Sequence, residues 1–197
     1  MTRSDQVMLR GLMFALLLSA VAVSGYHRAR ARRGGDAVAR SREGPVFLTL
    51  RILGASVLFG SVLACVFAPG LMAWASFEVP SQVRWIAATL GALDLLAIHW
   101  VLGTLGRNVT ETVLTKENHE LVTVGPYRWI RHPLYTTGLA LFLFLGLMAG
   151  NWFILAVAAV AFVLFRALVI PREEQALLAK FGDRYRTYME RTGRLIP

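Results

Sequence analysis

The sequence predicts an all-α integral membrane protein with about five transmembrane helices, a C-terminal hairpin pair of helices and an amphipathic cytoplasmic C-terminal helix. Of its 197 residues, 56% are hydrophobic, which is more than the surface of one soluble domain can accommodate. Several uncharged runs reach the length of about 20 residues that crosses a hydrocarbon core. The basic residues are grouped between these runs. Together these features indicate a protein whose solvent is the lipid bilayer.

The first uncharged run extends from Gly11 to Tyr26 and is just long enough for one crossing. A cleaved signal peptide is the alternative, because Ala20-Val21-Ala22 resembles a cleavage site. Six arginines follow within residues 27–42 and oppose export of that flank. We therefore expect an anchoring helix whose N-terminus lies outside the cell.

The remaining runs predict four further crossings. A second helix is expected from Val46 to Ala68, where Pro69-Gly70 breaks it, and a third from Trp85 to Gly106. The uncharged run from Pro133 to Phe165 is too long for one crossing, and Gly150-Asn151 near its middle favours a turn. It is therefore predicted to form an antiparallel helical hairpin.

Five crossings place every basic loop on one side of the membrane. Lys and Arg are concentrated in residues 27–42, in residues 107–131 and in the tail from Arg172, whereas residues 69–82 contain none. The positive-inside rule makes the basic side cytoplasmic. We predict a multi-pass protein of the inner cell membrane with a cytoplasmic C-terminus. Despite the net charge of +9, no nucleic-acid partner is expected, because apolar spans interrupt the basic stripe that phosphates require.

Two regions are predicted within the chain. Residues 1–82 form an N-terminal two-helix membrane region with a basic cytoplasmic loop at 27–45. Residues 83–197 form a core with the last three crossings, a cytoplasmic loop at 106–133 and a C-terminal helix at 172–190. Apolar residues in this last helix recur every three or four positions, which is typical of a helix lying on a surface.

The segment from His119 to Tyr135 is the strongest candidate for chemistry. It gathers two histidines, two arginines and three aromatic rings beside a helix start. Pro133 restricts His132 to extended backbone and can open the helix that follows. The alternative is an interfacial belt in which aromatic rings and arginines meet lipid head groups.

Other charged residues near or within the spans are also candidates. The carboxylates Glu173 and Glu174 follow the last crossing, and the hairpin would bring them to the membrane face that carries His132. Solvated residues of a helix start are their alternative. Asp94 lies within the third span and is expected to pair with Arg51 or Arg166. No Cys or His spacing typical of a metal site occurs, and none is predicted.

Three motifs of the C-terminal half carry a family resemblance. The run Gly125-Pro-Tyr-Arg-Trp-Ile-Arg-His-Pro-Leu-Tyr135, the pair Glu173-Glu174 and the run Phe181-Gly-Asp-Arg-Tyr185 resemble the isoprenylcysteine carboxyl methyltransferase family, which is related to phospholipid N-methyltransferases. The resemblance covers about residues 100–197. It implies a membrane methyltransferase that binds S-adenosylmethionine in a cytoplasmic pocket and methylates a lipophilic or small acceptor.

The resemblance also implies the residues of the site. The expected cofactor contacts are Thr112, His119, Glu120, Leu121, Val122, Gly125, Tyr127, His132, Pro133, Leu134, Tyr135, Glu173 and Glu174. The expected catalytic residues are Arg131, Glu173 and Arg166. Glu173 and the tyrosine rings would hold the cationic sulfonium, and Arg131 or Arg166 would orient an anionic acceptor.

One position departs from the pattern of that family. Its eukaryotic members have an arginine one helical turn before the matching glutamate, where it faces the substrate carboxylate, and this sequence has Val169. Arg166 and Arg172 are the nearest substitutes. Three alternatives to the carboxyl methyltransferase stay open: a phospholipid N-methyltransferase, an NADPH-dependent enzyme of the sterol-reductase kind, and a non-catalytic membrane platform.

Overall fold

A computed structural model describes residues 2–33, 45–109 and 120–196 of the chain. These residues form seven α-helices: α1 (Arg3–Arg32), α2 (Pro45–Phe67), α3 (Ser81–Leu105), α4 (Pro133–Ala149), α5 (Trp152–Leu164), α6 (Ile170–Phe181) and α7 (Asp183–Arg191). A 3₁₀ helix, Pro69–Ala75, follows α2 at the break that Pro69-Gly70 predicts. The predicted all-α membrane fold is therefore confirmed.

The long helices match the expected crossings. By length and composition, the segments Arg3–Arg32, Leu48–Phe67, Ser81–Asn108 and Trp152–Phe181 can each cross a bilayer. Helix α4 is apolar but shorter, with 17 residues, or about 25 Å of helix against a core of about 30 Å. The multi-pass architecture expected from the sequence is therefore present.

Helix α1 packs along α3 in the core. Its start is fixed by a capping box, in which the side chain of Thr2 accepts from the amide of Asp5 and the carboxylate of Asp5 accepts from the amide of Thr2. Met13 and Leu17 are buried, and a side chain at Gly91 of α3 would meet Leu16 at 3.1 Å. Helix α1 therefore packs closely against α3, and its retention as an anchor stays a prediction.

The predicted hairpin between α4 and α5 is confirmed. Gly150 ends α4 in the left-handed region at φ 61° and ψ 48°, where a residue without Cβ is favoured. Asn151 caps α5 by accepting from the amide of Ile154, and its side-chain amide donates to the carbonyl of Met72 at 3.1 Å. The turn is thus fixed to the segment that follows α2.

The predicted C-terminal helix 172–190 differs from the observed helices. Helix α5 continues through one π-helical turn, Phe165–Val169, directly into α6. The chain then breaks at Gly182, at φ 53°, and resumes as α7. About 20 residues from Trp152 are enough to cross a hydrocarbon core, so the spanning part of this long helix ends near Pro171, just before the charged run that starts at Arg172. Helix α6 therefore extends from the spanning part instead of forming a separate surface helix.

These connections define two ends of the helical bundle. At one end lie the start of α4 at Pro133, the end of α3 and the charged part of α6. At the other lie the start of α1, the end of α2 and the turn at Gly150. We call the first the carboxylate end, after Glu173 and Glu174, and the second the hairpin end.

Candidate active site

The loop that leads into α4 is fastened to the end of α3. Asn108 forms two hydrogen bonds with the backbone of Glu120: its amide donates to the carbonyl and its oxygen accepts from the N–H, both at 3.1 Å. Gly125 has φ +59°, and a Cβ there would lie 3.0 Å from the side chain of Thr104. Only glycine combines this conformation with so close an approach. The loop is therefore held against α3.

Pro133 opens α4 as predicted, whereas His132 departs from the predicted extended backbone. Pro133 is the first residue of α4, and His132 has φ −122° but ψ 55°, short of the extended region. The carbonyl of His132 accepts hydrogen bonds from the amides of Tyr135 and Thr136. The imidazole is only 4% exposed. The histidine is therefore fixed at the helix entry with its ring directed into the protein.

Both carboxylates of α6 meet this segment, as the hairpin predicts. Tyr135 Oη donates to Glu173 Oε2 at 3.0 Å. His132 Nε2 lies 3.4 Å from Glu174 Oε1, and His132 Nδ1 lies 3.6 Å from Glu173 Oε2. The histidine therefore sits between two adjacent carboxylates.

Glu174 is the centre of a buried ion network. Its Oε1 accepts from Arg131 Nε at 3.0 Å and from Arg194 Nε at 3.3 Å, and its Oε2 accepts from Arg194 Nη2 at 2.5 Å. Burial alone would raise the pKa of Glu174, but hydrogen bonds from His132, Arg194 and Arg131 lower it to about 2. This carboxylate, which lies beyond the spanning part of its helix, is thus ionised and fully engaged.

Arg131 ties the network to the C-terminal segment. Its Nη1 donates to the carbonyl of Met189 at 2.9 Å and to the carbonyl of Thr192. Its side chain is 9% exposed. All these partners belong to the protein, so the structure gives Arg131 the geometry of a residue that positions α6 and the C-terminus. Its predicted contact with an acceptor stays a prediction.

Residues after α7 form a strand-like pairing with the same loop. The amide of Arg131 donates to the carbonyl of Gly193, the amide of His132 to the carbonyl of Arg194, and the amide of Gly193 to the carbonyl of Trp129, at 2.9 to 3.1 Å. Thr136 Oγ1 also donates to the carbonyl of Leu195 at 2.8 Å. The C-terminal segment therefore braces the loop from Trp129 to His132.

Two tyrosines of α7, Tyr185 and Tyr188, are buried beside the site. Tyr188 Oη donates to the carbonyl of Tyr127 at 2.6 Å, and burial raises the pKa of Tyr188 to about 12. Tyr185 is 1% exposed, and its hydroxyl is buried without a hydrogen-bond partner among the described residues. Burial, together with Glu174, raises the pKa of Tyr185. Both hydroxyls are therefore protonated donors at neutral pH.

Glu173 differs from its neighbour in keeping access to solvent. Its side chain is 30% exposed, against 5% for Glu174. The ring of Tyr135, which donates to it, stacks on Phe165 with centroids 5.1 Å apart. Burial and the nearby carboxylate of Glu173 raise the pKa of Tyr127, a third ring of this region. A partly open carboxylate beside stacked rings suits an organic cation.

The interfacial belt describes only part of the segment. Trp129 is 45% exposed, and the guanidinium of Arg128 lies 4.6 Å from its ring centroid. Trp100 of α3 packs edge-on against Trp129. These residues have the exposure expected of a belt, whereas Tyr127 and His132 are buried and belong to the site.

The other residues predicted for the site differ in their exposure, and two of them are not described by the structure. Thr112 and His119 lie outside the described residues. Glu120 is exposed, Leu121 and Val122 are half-buried, and Leu134 packs against the core. Arg166 is exposed in the π-helical turn. These roles stay predictions.

The expectation that Asp94 pairs with an arginine is not supported for Arg166. Asp94 Oδ2 is buried and has no hydrogen-bond partner among the described residues. The described residues also contain no group of three or more His, Cys, Asp or Glu side chains that could hold a metal ion.

Two contributors to the site were not among the predicted residues. Arg194 binds Glu174, and Asn108 fixes the loop. Asn108 lies in a stretch that resembles the family, and this signal could have identified it. Arg194 lies two residues from the end of the described chain in a polar segment without periodicity, where no sequence pattern marks a partner.

The family of this chain follows from comparison with known proteins. The model of the phospholipid methyltransferase family matches residues 83–184, from the start of α3 into α7. This stretch includes the loop before α4 and both carboxylates. It therefore contains most of the site described above.

Curated relatives are similar over parts of the chain. It is 35% identical over 114 residues to the cobalt-zinc-cadmium resistance protein CzcN of Cupriavidus metallidurans, covering 57% of this chain and 51% of that protein. It is 30% identical over 152 residues to the nickel-cobalt-cadmium resistance protein NccN of Alcaligenes xylosoxydans xylosoxydans, covering 77% and 67%. Over 71 residues it is 32% identical to the methanethiol S-methyltransferase of Mycobacterium tuberculosis, covering 36% and 28%. The chain spans about half the length of CzcN.

A solved structure shows the same fold. The eukaryotic intramembrane Ras methyltransferase, isoprenylcysteine carboxyl methyltransferase, superposes with a TM-score of 0.63 at 20% identity, covering all of this chain and 69% of that one. With a family model that matches half of its length and a relative matched along two thirds, the chain belongs to the phospholipid methyltransferase family and has the membrane fold of the isoprenylcysteine enzyme.

Proposed function

We propose that this chain is a membrane methyltransferase that uses S-adenosylmethionine and methylates a small or lipophilic acceptor that carries no carboxylate. The observation that carries the proposal is the contact between the segment from His132 to Tyr135 and the pair Glu173-Glu174. The resemblance implies that these residues share one site, and the α4–α5 hairpin brings them together. We further propose an inner-membrane location with the carboxylate end facing the cytoplasm, because the basic loops lie at that end.

The side chains present fit such a cofactor. Glu173 offers a partly exposed carboxylate, and the stacked rings of Tyr135 and Phe165 offer an aromatic face beside it. A cation near an aromatic face gains about 0.5–2 kcal/mol, depending on desolvation. The unpartnered hydroxyl of Tyr185 supplies a buried donor that a polar group of the cofactor can satisfy.

The chain contributes mainly positioning. S-adenosylmethionine, when bound, supplies an electrophilic methyl group carried on a positively charged sulfur. Glu173 and the rings near it fix the location of that charge, while Glu174 and Arg131 hold the surrounding elements in place. Alignment of this kind and the exclusion of water account for much of the acceleration expected for a transfer of this type. Very tight binding of the charge would not help, because only differential stabilisation of the transition state lowers the barrier.

The charges of the described site argue against an anionic acceptor. Val169 is 7% exposed and apolar where the resemblance leads us to expect an arginine. Arg131 and Arg194, the guanidinium groups that reach into the site, are engaged by Glu174. Neither of these two arginines is therefore free to pair with an acceptor carboxylate, and the exposed Arg166 of the π-helical turn does not occupy the position of Val169. A neutral nucleophile such as a thiol is favoured, and one relative is named as a methanethiol S-methyltransferase.

A phospholipid amine is the second candidate acceptor. The family model that matches residues 83–184 is named for phospholipid methyltransferases. A site at the ends of helices long enough to cross a bilayer would lie near lipid head groups. An uncharged amine is also a neutral nucleophile, so the same argument on charge applies to it. The two candidates differ in the size of the acceptor and in its source.

A direct assay separates these possibilities. The full chain, in detergent and in lipid nanodiscs, is incubated with S-adenosylmethionine tritiated on the methyl group and with an alkyl thiol, phosphatidylethanolamine or a prenylcysteine. We expect transfer to the thiol or the amine and little to the prenylcysteine. Preferred transfer to the carboxylate would contradict the argument from Val169.

Calorimetry with the two cofactor classes tests the wider proposal. The parent chain is titrated with S-adenosylhomocysteine and with NADPH. We expect binding of the first only. Binding of NADPH alone would favour the reductase alternative, and binding of neither would favour a non-catalytic platform.

A further inference from the structure

A polar cavity lies at the hairpin end, opposite the candidate active site. It has a volume of about 210 Å³ and lies between the start of α1, the end of α2, the start of α3 and the α4–α5 turn. The polar side chains that line it are Gln6, Arg10, Ser76, Arg84 and Asn151. The volume is below the range of about 300–1,000 Å³ typical of pockets for drug-sized ligands. It suits a compact head group or a small ion.

One of the two arginines, Arg84, is bound by backbone carbonyls and also lines the cavity. Arg84 Nη1 donates to the carbonyl of Met148 at 2.8 Å, and its Nε donates to the carbonyl of Val79 at 3.3 Å. These bonds place the guanidinium at the end of α4, where a cation is favoured. No carboxylate accepts from Arg84 in the part of the chain that the structure describes, so its full positive charge persists.

The other arginine is held at the cavity without a partner. Arg10 is half-buried on α1, and within the described ranges no hydrogen bond or ion pair engages its guanidinium. The cavity has no acidic residue in its lining, and the acidic residues nearest along the chain, Asp5 and Glu78, are outside it. Asp5 is instead bound to Thr2 at the helix cap.

Two like charges in one half-buried cavity repel each other, and burial weakens the screening by water. An anion placed between them would remove this repulsion and accept from both guanidinium groups. Gln6 adds a neutral polar side chain to the lining. Phosphate oxygens match guanidinium donors especially well, since they can accept two hydrogen bonds from one fork.

We propose that the cavity between Arg10 and Arg84 at the hairpin end is a binding site for a phosphate-bearing anion, supplied by a phospholipid head group or by free phosphate. The site is separate from the methyl-transfer chemistry, because the helices carry it to the opposite end of the bundle. It belongs to the region from α1 to the hairpin turn and would tie that turn to α1.

The test measures the binding of two probes to the full chain in detergent. The first probe is the short-chain lipid dihexanoyl phosphatidylglycerol, with dihexanoyl phosphatidylcholine for comparison, and the second is inorganic phosphate. Binding is followed as the rise in the thermal unfolding midpoint with probe concentration. The variant Arg10→Gln removes the free guanidinium, and Arg3→Gln is the matched control, because Arg3 lies exposed on the same helix outside the cavity.

We expect the parent and Arg3→Gln to bind the anionic probe equally, and Arg10→Gln to bind it about tenfold more weakly or worse, since a hydrogen bond to a charged group is lost. An Arg10-dependent response to phosphatidylglycerol alone identifies a lipid head group as the source. An equal Arg10-dependent response to inorganic phosphate identifies a free anion. Equal binding of both probes by the parent and Arg10→Gln would overturn the proposal.

A second variant serves if Arg10→Gln does not fold. Gln6 lies one helical turn before Arg10, so Gln6→Glu places a carboxylate at the spacing that pairs with it. This change keeps the arginine but pairs its charge with a carboxylate inside the cavity. We expect Gln6→Glu to lose the response to both probes. Retention of the full response in this variant would show that the cavity charge does not bind the anion.

Discussion

The two ends of the bundle balance buried charge in different ways. At the carboxylate end, Arg131 and Arg194 are paired with the carboxylate of Glu174, which lies 3.0 Å from one guanidinium and 2.5 Å from the other. At the hairpin end, Arg84 is held by backbone carbonyls, and Arg10 faces a cavity. The first end is neutralised by side chains, whereas the second keeps an excess of positive charge.

The two adjacent glutamates of α6 also differ from each other in how their charges are paired. Glu174 contacts three donor side chains, and these contacts hold the loop, α6 and the C-terminal segment together. Glu173 is bound by Tyr135 and keeps an exposed side. One carboxylate therefore organises the site, which leaves the other available for a cation. Neutralising each carboxylate separately tests this division.

Glu174→Gln is expected to give the largest effect on stability. Removing one partner from a buried ion network leaves the other charges uncompensated, at a cost of about 3–5 kcal/mol in unfolding free energy. Thermal and denaturant unfolding of the detergent-solubilised chain measure the loss. The exposed Glu190→Gln on α7 is the matched control and is expected to change little. A Glu174→Gln protein as stable as the parent would show that the network contributes nothing to the fold.

The same network predicts a dependence of stability on pH. The pKa of Glu174 is lowered in the folded protein from 4.5 to about 2. Its contribution is therefore complete above about pH 4.5 and is lost as the pH falls toward about 2. We expect the difference in stability between the parent and Glu174→Gln to shrink over this window. A difference that stays constant there would exclude the carboxylate as its source.

Gly150→Ala is expected to destabilise the turn at the hairpin end. The left-handed backbone at Gly150 costs a residue with a side chain about 1–3 kcal/mol, and the added Cβ would clash with Arg84 Nη2 and lie 2.9 Å from the carbonyl oxygen of Phe77. We expect a loss of unfolding free energy at or above that range. Gly138→Ala within α4 is the control, because a Cβ there meets nothing within 4 Å. Equal stability of the two variants would mean that the turn tolerates a side chain.

Patterns local in sequence predicted most of the fold. Uncharged runs located the crossings, and the turn residues Gly150 and Asn151 located the hairpin. These features depend on hydrophobic length and backbone conformation, which a single chain displays directly.

Contacts between residues that are distant in the sequence were harder to predict from it. The sequence placed the two carboxylates near His132 but did not separate their roles, because that depends on how α6 is rotated after the π-helical turn at Phe165–Val169. The contact of Arg194 with Glu174 joins residues 20 positions apart across the break between α6 and α7. No periodic pattern encodes a contact of this kind, so only the assembled structure identifies it.

Glu173→Gln sharpens the division between the two glutamates. We expect methyl transfer at cofactor concentrations below saturation to fall about tenfold to a hundredfold, because a charged partner of the bound cation contributes about 1.5–3 kcal/mol. Stability should change by much less than in Glu174→Gln, since Glu173 is 30% exposed. Rates with the preferred acceptor and unfolding curves are measured on the same preparations. Unchanged rates would remove Glu173 from the proposed site.

Tyr135→Phe is expected to give the smallest effect. It removes only the hydroxyl that donates to Glu173 at 3.0 Å, whereas the ring stacked on Phe165 is kept. A neutral donor of this kind contributes about 0.5–1.5 kcal/mol, so rates should fall about twofold to tenfold. Tyr135→Leu removes the aromatic face as well and should lower the rate further, while Tyr26→Phe on the exposed surface of α1 serves as the control. Equal rates for Tyr135→Phe and Tyr135→Leu would show that the ring contributes nothing beyond its hydroxyl, which would leave the carboxylate alone to hold the cation.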